Sequence, residues 1–177
     1  MKIAAHDSAK PRRSRAVESM ILFTVGRQLF LIAAEAVQEI RSTDGLASAA
    51  FEIEVPELPK VTHFFERRNR AWFIVSACAH FRLPVTRPML VLILRQARAA
   101  LLVDHIVRMV EIPAVHSLPR AFSGDERRWY RGLAYLEDQV IPVLEPTGVL
   151  TRGEVARLDS HAATLVAAGD ILGGAQS

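Results

Sequence analysis

Cys78 and His80 are the pair in this 177-residue sequence whose types and spacing come nearest to chemistry. Two residues apart on a strand, they would face the same side. There they would make a thiol with its base, or two ligands of a metal ion. A small buried hydrophobe is the simpler reading of such a cysteine, because His6, His63, His105, His116 and His161 show no ligand spacing among them. Neither a phosphate-binding glycine loop nor a dinucleotide fingerprint is present. Asp125-Glu126 beside Arg127-Arg128 reads as a solvated loop. The expectation is a protein that is not an enzyme, with no catalytic residues, no metal and no cofactor.

A second constellation concerns recognition rather than reaction. Phe64, Phe65, Trp72 and Phe73 crowd one stretch, interleaved with Arg67, Arg68 and Arg70. Successive strand residues point to opposite faces, so Trp72 and Phe73 cannot both enter one core. One of them is left to cover a groove or to meet a partner, and aromatics with arginine are the types enriched in interface hot spots. Trp72 is therefore a candidate partner-binding residue. The same residues would suit a nucleic-acid-binding β-barrel module, which pairs stacking aromatics with basic side chains. Charge argues against that alternative. Residues 1–19 carry +3, residues 20–150 only +1, and residues 151–177 carry −1. A body so nearly balanced is a poor footprint for nucleic acid.

The elements that must position these residues are short and numerous. Met20 to Val25 and Leu29 to Ile32 flank Gly26-Arg27-Gln28 as a first hairpin, with Gly26 free to take positive φ. A turn at Ala33–Glu35 leads to a strand ending near Ile40. Residues 42–60, with Asp44-Gly45, Pro56 and Pro59, read as a long connection. Val61 to Phe65 and Ala71 to Ala77 flank the turn 66–70 as a second hairpin. Leu90 to Leu94 and Ala99 to Val103 flank Arg95-Gln96-Ala97-Arg98 as a third. After a polar break at Asp104-His105, a strand runs to Ile112. Residues 113–128 are a second long connection, and Arg131 to Leu136 with Val140 to Leu144 make the last hairpin.

The two halves share one order: hairpin, strand ending in Glu-Ile, proline-bearing loop, hairpin. Glu39-Ile40 precedes Val61, and Glu111-Ile112 precedes Leu133, by the same 22 residues. Short strands at close spacing predict small β-barrels, whose closure removes exposed edges. Two barrels this small would each be marginal alone and should share a buried interface. Beyond Leu150 the period becomes helical through Val155, Leu158, Ala162, Leu165 and Val166. Thr151 and Glu154 can form a capping box, and Gly169 a stop. The expected division is a disordered basic tail over 1–19, two lobes at about 20–84 and 85–150 with strand exchange allowed, and a helix and tail over 151–177.

Half of the residues are apolar and 23% are charged, as in a soluble globular protein. No apolar run approaches a membrane span, and no secretory core precedes Met20. A single cysteine fits a reducing compartment, so the expected location is the cytoplasm.

With ILFTVGRQLFLI at the first hairpin, VQEIR at 37–41, FRLP at 81–84, LLVDHIVRMVEI at 101–112 and RGLAYLEDQVIPVLEPTGVL at 131–150, the sequence resembles the CheW-like domain family of bacterial chemotaxis adaptors. The resemblance covers about Met20 to Leu150. It implies an all-β fold of two lobes, each a five-stranded SH3-like β-barrel, followed here by the C-terminal helix. It implies an adaptor coupling a chemoreceptor signalling tip to the regulatory domain of a CheA-type histidine kinase, with no nucleic acid and no direct membrane insertion. Val37, Glu39 and Arg41 of VQEIR, and Val103 with Asp104, fall on positions that the resemblance links to partner binding. Aligned without gaps back from Phe81, the family's Asn-Leu-Arg-Gly, Pro, Asp-Leu-Arg series stands here as Glu66-Arg67-Arg68-Asn69, Phe73 and Ser76-Ala77-Cys78, which keeps only Arg68. A gapped alignment puts His63-Phe64-Phe65 there with a longer turn and loses that arginine too. Arg68 completes the expected partner-binding set. The departures suit a diverged adaptor, serving a pilus, gliding or other non-flagellar system at least as readily as a flagellar one.

Overall fold

The computed structural model describes residues 17–168, and their strands form two sheets. The first hairpin is β1 (Glu18–Val25) with β2 (Gln28–Ala33), turning on Gly26 at φ +61°. It begins two residues inside the stretch expected to be tail, because Glu18 and Ser19 pair with Ile112 and Glu111. A single 3-10 turn, Ala34–Ala36, leads to β3 (Val37–Ser42). The connection that follows is more ordered than its prolines suggest. It contains α1 (Thr43–Ala47), N-capped by Ser42, and a two-residue strand, β4 (Phe51–Glu52).

The second hairpin is β5 (Val61–Arg67) with β6 (Arg70–Ser76). Its turn is Arg68-Asn69 alone, both at positive φ, rather than the wider loop over 66–70. Glu66↔Ala71 and Arg67↔Arg70 continue the ladder past the apolar residues. Next come α2 (Ala77–His80), β7 (Leu90–Leu94), β8 (Ala99–Val103) and β9 (His105–Ile112). The strand expected to run through Ala77 stops one residue earlier, and Cys78 and His80 sit on the single turn α2. The last pieces are α3 (Glu126–Trp129), β10 (Tyr130–Leu136), β11 (Gln139–Leu144) and α4 (Arg152–Ala167).

One sheet has the order β10-β11-β2-β1-β9 and the other β3-β7-β8-β6-β5-β4. The fold is therefore mostly β, in two mixed sheets. The sheets draw strands from both sides of residue 84. The chain leaves the first sheet after β2 and returns to it at β9. Neither ladder closes on itself, and the second has six strands because β4 extends it. Where the first sheet stays open, His116 and Leu133 exchange backbone hydrogen bonds of 2.7 and 2.8 Å. Gly132 permits that approach, since a Cβ there would lie 2.2 Å from the His116 carbonyl oxygen.

The alternation of β1 and β2 splits the core. Met20, Leu22 and Leu31 point into the first sheet's own interior with Ile141 and Val143. Ile21, Phe23, Phe30 and Ile32 point the other way and pack with Phe73, Leu92 and Leu101 of the second sheet. Leu158 and Ala162 of α4 join that shared core, while Val166 faces solvent. The Thr151–Glu154 capping box forms as expected. Gly169 lies outside the described residues.

Candidate functional site

A bulge in β3 sets up the site. Val37 pairs with Leu94 and Glu39 with Ile93, so Gln38 is the extra residue. Bulges bend a strand and re-aim its side chains. Val37 accordingly lies in the shared core at 7% exposure, whereas Glu39 and Arg41, two and four residues on, reach the surface. Arg41 Nε donates to Glu39 Oε1 at 2.6 Å. Arg67 Nη1, at the end of β5, lies 3.4 Å from Glu39 Oε2, an ion pair without hydrogen-bond alignment. The Arg67 guanidinium also sits over the Trp72 ring at 5.7 Å, and Trp72 stacks with Phe65. The Arg41 hydrogen bond, with the Arg41 and Arg67 charges beside it, holds the Glu39 carboxyl below the usual carboxylate range.

Glu39, Arg41, Arg67 and Trp72 are thus linked into one surface, and the exposed Arg68 follows Arg67 at the hairpin tip. Phe73 is fully buried and Trp72 half-buried, which divides the neighbours between core and surface as strand geometry requires. Arg67 was the member that spacing did not single out. It reads as part of a basic turn, and only the curl of the sheet brings it to Glu39.

Val103 and Asp104 lie elsewhere in the fold and face inward. Val103 is fully buried, and Asp104 is 8% exposed. Asp104 Oδ2 accepts from the Gly26 N–H at 2.6 Å, and the Asp104 N–H donates to the Thr24 carbonyl. The carboxylate therefore pins the first hairpin turn against the end of β8.

Cys78 and His80 do not converge on a reaction centre. Cys78 Sγ is 3.1 Å from the Ser76 hydroxyl. His80 is buried between Phe81 and Trp129, with Lys60 Nζ 3.5 Å from its Nδ1. Burial, reinforced by the Lys60 charge, lowers the His80 pKa to about 3, so the ring is neutral near pH 7. Lys60 pairs with Glu154 at 2.8 Å and donates to the Val149 carbonyl. Arg98 forms a bidentate pair with Asp159, donates twice to the Ala71 carbonyl and stacks on Phe73. These two cations fasten α4 to the second sheet. Among the described residues no group of three or more His, Cys, Asp or Glu side chains is placed to hold a metal ion. Among the same described residues no helix is long and apolar enough to cross a membrane.

Comparison with known proteins adds to this geometry. The family model described as CheW-like domain matches residues 19–154. Among solved structures, the fold is similar to that of the scaffolding protein TtCheW from Thermoanaerobacter tengcongensis, with a TM-score of 0.63 at 14% sequence identity. The match covers 78% of this chain and 97% of that one. No curated protein matches the chain.

Proposed function

We propose that this chain, which belongs to the CheW-like domain family, is a non-enzymatic adaptor of a chemotaxis-type signalling system, joining a chemoreceptor signalling tip to the regulatory domain of a CheA-type histidine kinase. The observation that carries this reading is the Glu39–Arg41–Arg67–Trp72 surface. It is a fixed arrangement of one carboxylate, two guanidinium groups and an indole with no reacting group beside it. Such a surface is suited to reading charge and shape on another protein. The two curled sheets support taking each lobe as an SH3-like barrel whose last gap is spanned by side-chain ion pairs, and in the first sheet also by the His116–Leu133 bridge, rather than by a complete ladder.

Within this reading Glu39, Arg41, Arg68 and Trp72 touch the partner. Val37, Val103 and Asp104 act from inside, holding β3 and the first hairpin in place. Arg67 is committed to Glu39 and Trp72, which leaves only Arg68 and Arg70 of the basic trio for other ligands and favours a protein partner over nucleic acid. The departures between Glu66 and Cys78 favour a pilus or gliding system, and a reducing cytoplasm suits the single buried Cys78.

Size-exclusion chromatography of the chain with a receptor tip fragment and a kinase regulatory domain from the same cell tests the proposal. Co-elution of all three in one peak is the expected result. Separate elution of a folded chain from both partners contradicts it.

A further inference from the structure

The largest groove among the described cavities, about 940 Å³, lies away from Glu39, between the β4–β5 segment and the last turns of α4. Its walls carry a strand-like alternation. Ile53 and Val55 are buried, while Glu52 and Glu54 are exposed on the lip. Opposite them stand His161, Thr164 and Leu165 of α4. Glu52, Glu54 and His161 are the titratable groups lining the groove. Among the described residues no cation lies within ion-pair distance of either carboxylate. Other exposed glutamates, such as Glu57 and Glu111, also lack an ion pair among the described residues, and what sets Glu52 and Glu54 apart is their place on the lip of this groove. In addition, β4 ends its sheet, with a strand on one side only.

We propose that this groove docks an extended segment of a partner protein in which lysine or arginine alternates with apolar residues. The alternation in residues 52–55 has the two-residue period of an extended chain. A segment laid along it would set cations against Glu52 and Glu54 and apolar side chains between Pro56 and Leu165. Extended peptides bind sheet margins in this way, with specificity drawn from alternate side chains. The two carboxylates supply charge complementarity that nothing else in the described chain satisfies. This face is separate from the Glu39 surface, so it stands or falls independently of the kinase and receptor contacts.

The probe is a short fluorescein-labelled peptide alternating lysine and valine, with a glutamate–valine peptide as its counterpart. Fluorescence anisotropy at low salt should show binding of the lysine peptide only, weakening as salt screens the carboxylates. Amide shift mapping should place it on residues 52–56 and 160–165. Glu52→Lys with Glu54→Lys, both at exposed positions, should weaken binding by at least about tenfold while the melting temperature is retained. Absence of binding, equal binding of the glutamate peptide, or shifts confined to the Arg68 hairpin would overturn the proposal. So would self-association of the chain that disappears in the double variant, since that result assigns the groove to a second copy.

Discussion

Glu39 and Arg67 stand on strands separated in their sheet by β7, β8 and β6, yet their side chains approach to 3.4 Å. The ladder does not cross that gap. An ion pair does, and in the first sheet ion pairs stand beside the His116–Leu133 backbone bridge. Glu18 of β1 accepts both Arg131 nitrogens from β10 at 2.7 and 2.6 Å, and Arg108 of β9 reaches Glu137 at 2.6 Å. Each sheet is thus curled until strands that are not ladder neighbours meet through charge. In the second sheet those charges belong to the surface we assign to partners.

Separating closure from recognition is therefore the first prediction. Arg67→Ala should disturb the Glu39 surface and loosen Trp72 together, so partner affinity and the Trp fluorescence spectrum should change in step. Arg68→Ala, at an exposed hairpin tip with no hydrogen bond or ion pair among those described, should lower affinity with an unchanged spectrum and melting temperature.

Asp104 should behave as a structural residue. Asp104→Ala removes the acceptor of the Gly26 N–H. Losing a charge-assisted bond of this kind costs about 1.5–3 kcal/mol. Chemical denaturation should show that loss, and partner affinity per folded molecule should remain near that of the parent.

His80 sets a pH dependence whose sign is fixed. Unfolded, the ring binds its proton near pH 6.5, whereas folded it does so only near pH 3. Between those values the unfolded chain holds more protons, so stability rises with pH across that window and is complete above 6.5. The slope is at most about 1.4 kcal/mol per pH unit. Glu154 shows the usual carboxylate case. Burial opposes its ionisation, but the Lys60 and Thr151 hydrogen bonds outweigh it and depress the pKa below 4.5. Its contribution is lost only as pH falls through that lower range. Denaturation between pH 5 and 6.5 therefore isolates the histidine, and His80→Phe should flatten the curve there.

Helix α4 should be integral to the fold. Leu158→Ala opens a cavity in the shared core, a change that costs about 2–5 kcal/mol. Arg98→Lys should also destabilise, because an ammonium cannot serve Asp159 and the Ala71 carbonyl in the same forked geometry. Differential scanning calorimetry should show both effects as a lowered melting temperature of one cooperative transition.

Gly132→Ala places a methyl group against the His116 carbonyl and Val115 Cγ1, at 2.2 and 2.6 Å. The His116–Leu133 bridge must then separate. Overpacking of this kind costs about 1–3 kcal/mol, and hydrogen exchange at the Leu133 amide should accelerate more than at Ile141.

What the sequence made legible was local. The β1–β2 and β7–β8 hairpins, the turn before Val37 and the Thr151–Glu154 cap each follow from residues within a few positions of one another. Residues without a strong local signature were harder to read. Residues 43–47 and 77–80 form single helical turns fixed by serine caps and packing. Residues 51–52 form a strand only because Phe64 and His63 lie beside them. At the 66–70 turn the apolar pattern ends before the ladder does, which made the loop look wider than it is. The site was half legible for the same reason. Glu39 with Arg41 is an i, i+2 relation on one strand, but Glu39 with Arg67 depends on how the whole sheet curls. The inward orientation of Val103 and Asp104 depends on where the first hairpin docks.

The most direct test of the adaptor reading is calorimetric titration of the chain, and of Glu39→Ala, with the regulatory domain of a CheA-type kinase from the same cell. The account predicts binding near the micromolar range, about −8 kcal/mol, weakened at least about tenfold by Glu39→Ala with the melting temperature unchanged. No heat of binding from a folded chain, or equal affinity of the parent and Glu39→Ala, would contradict it.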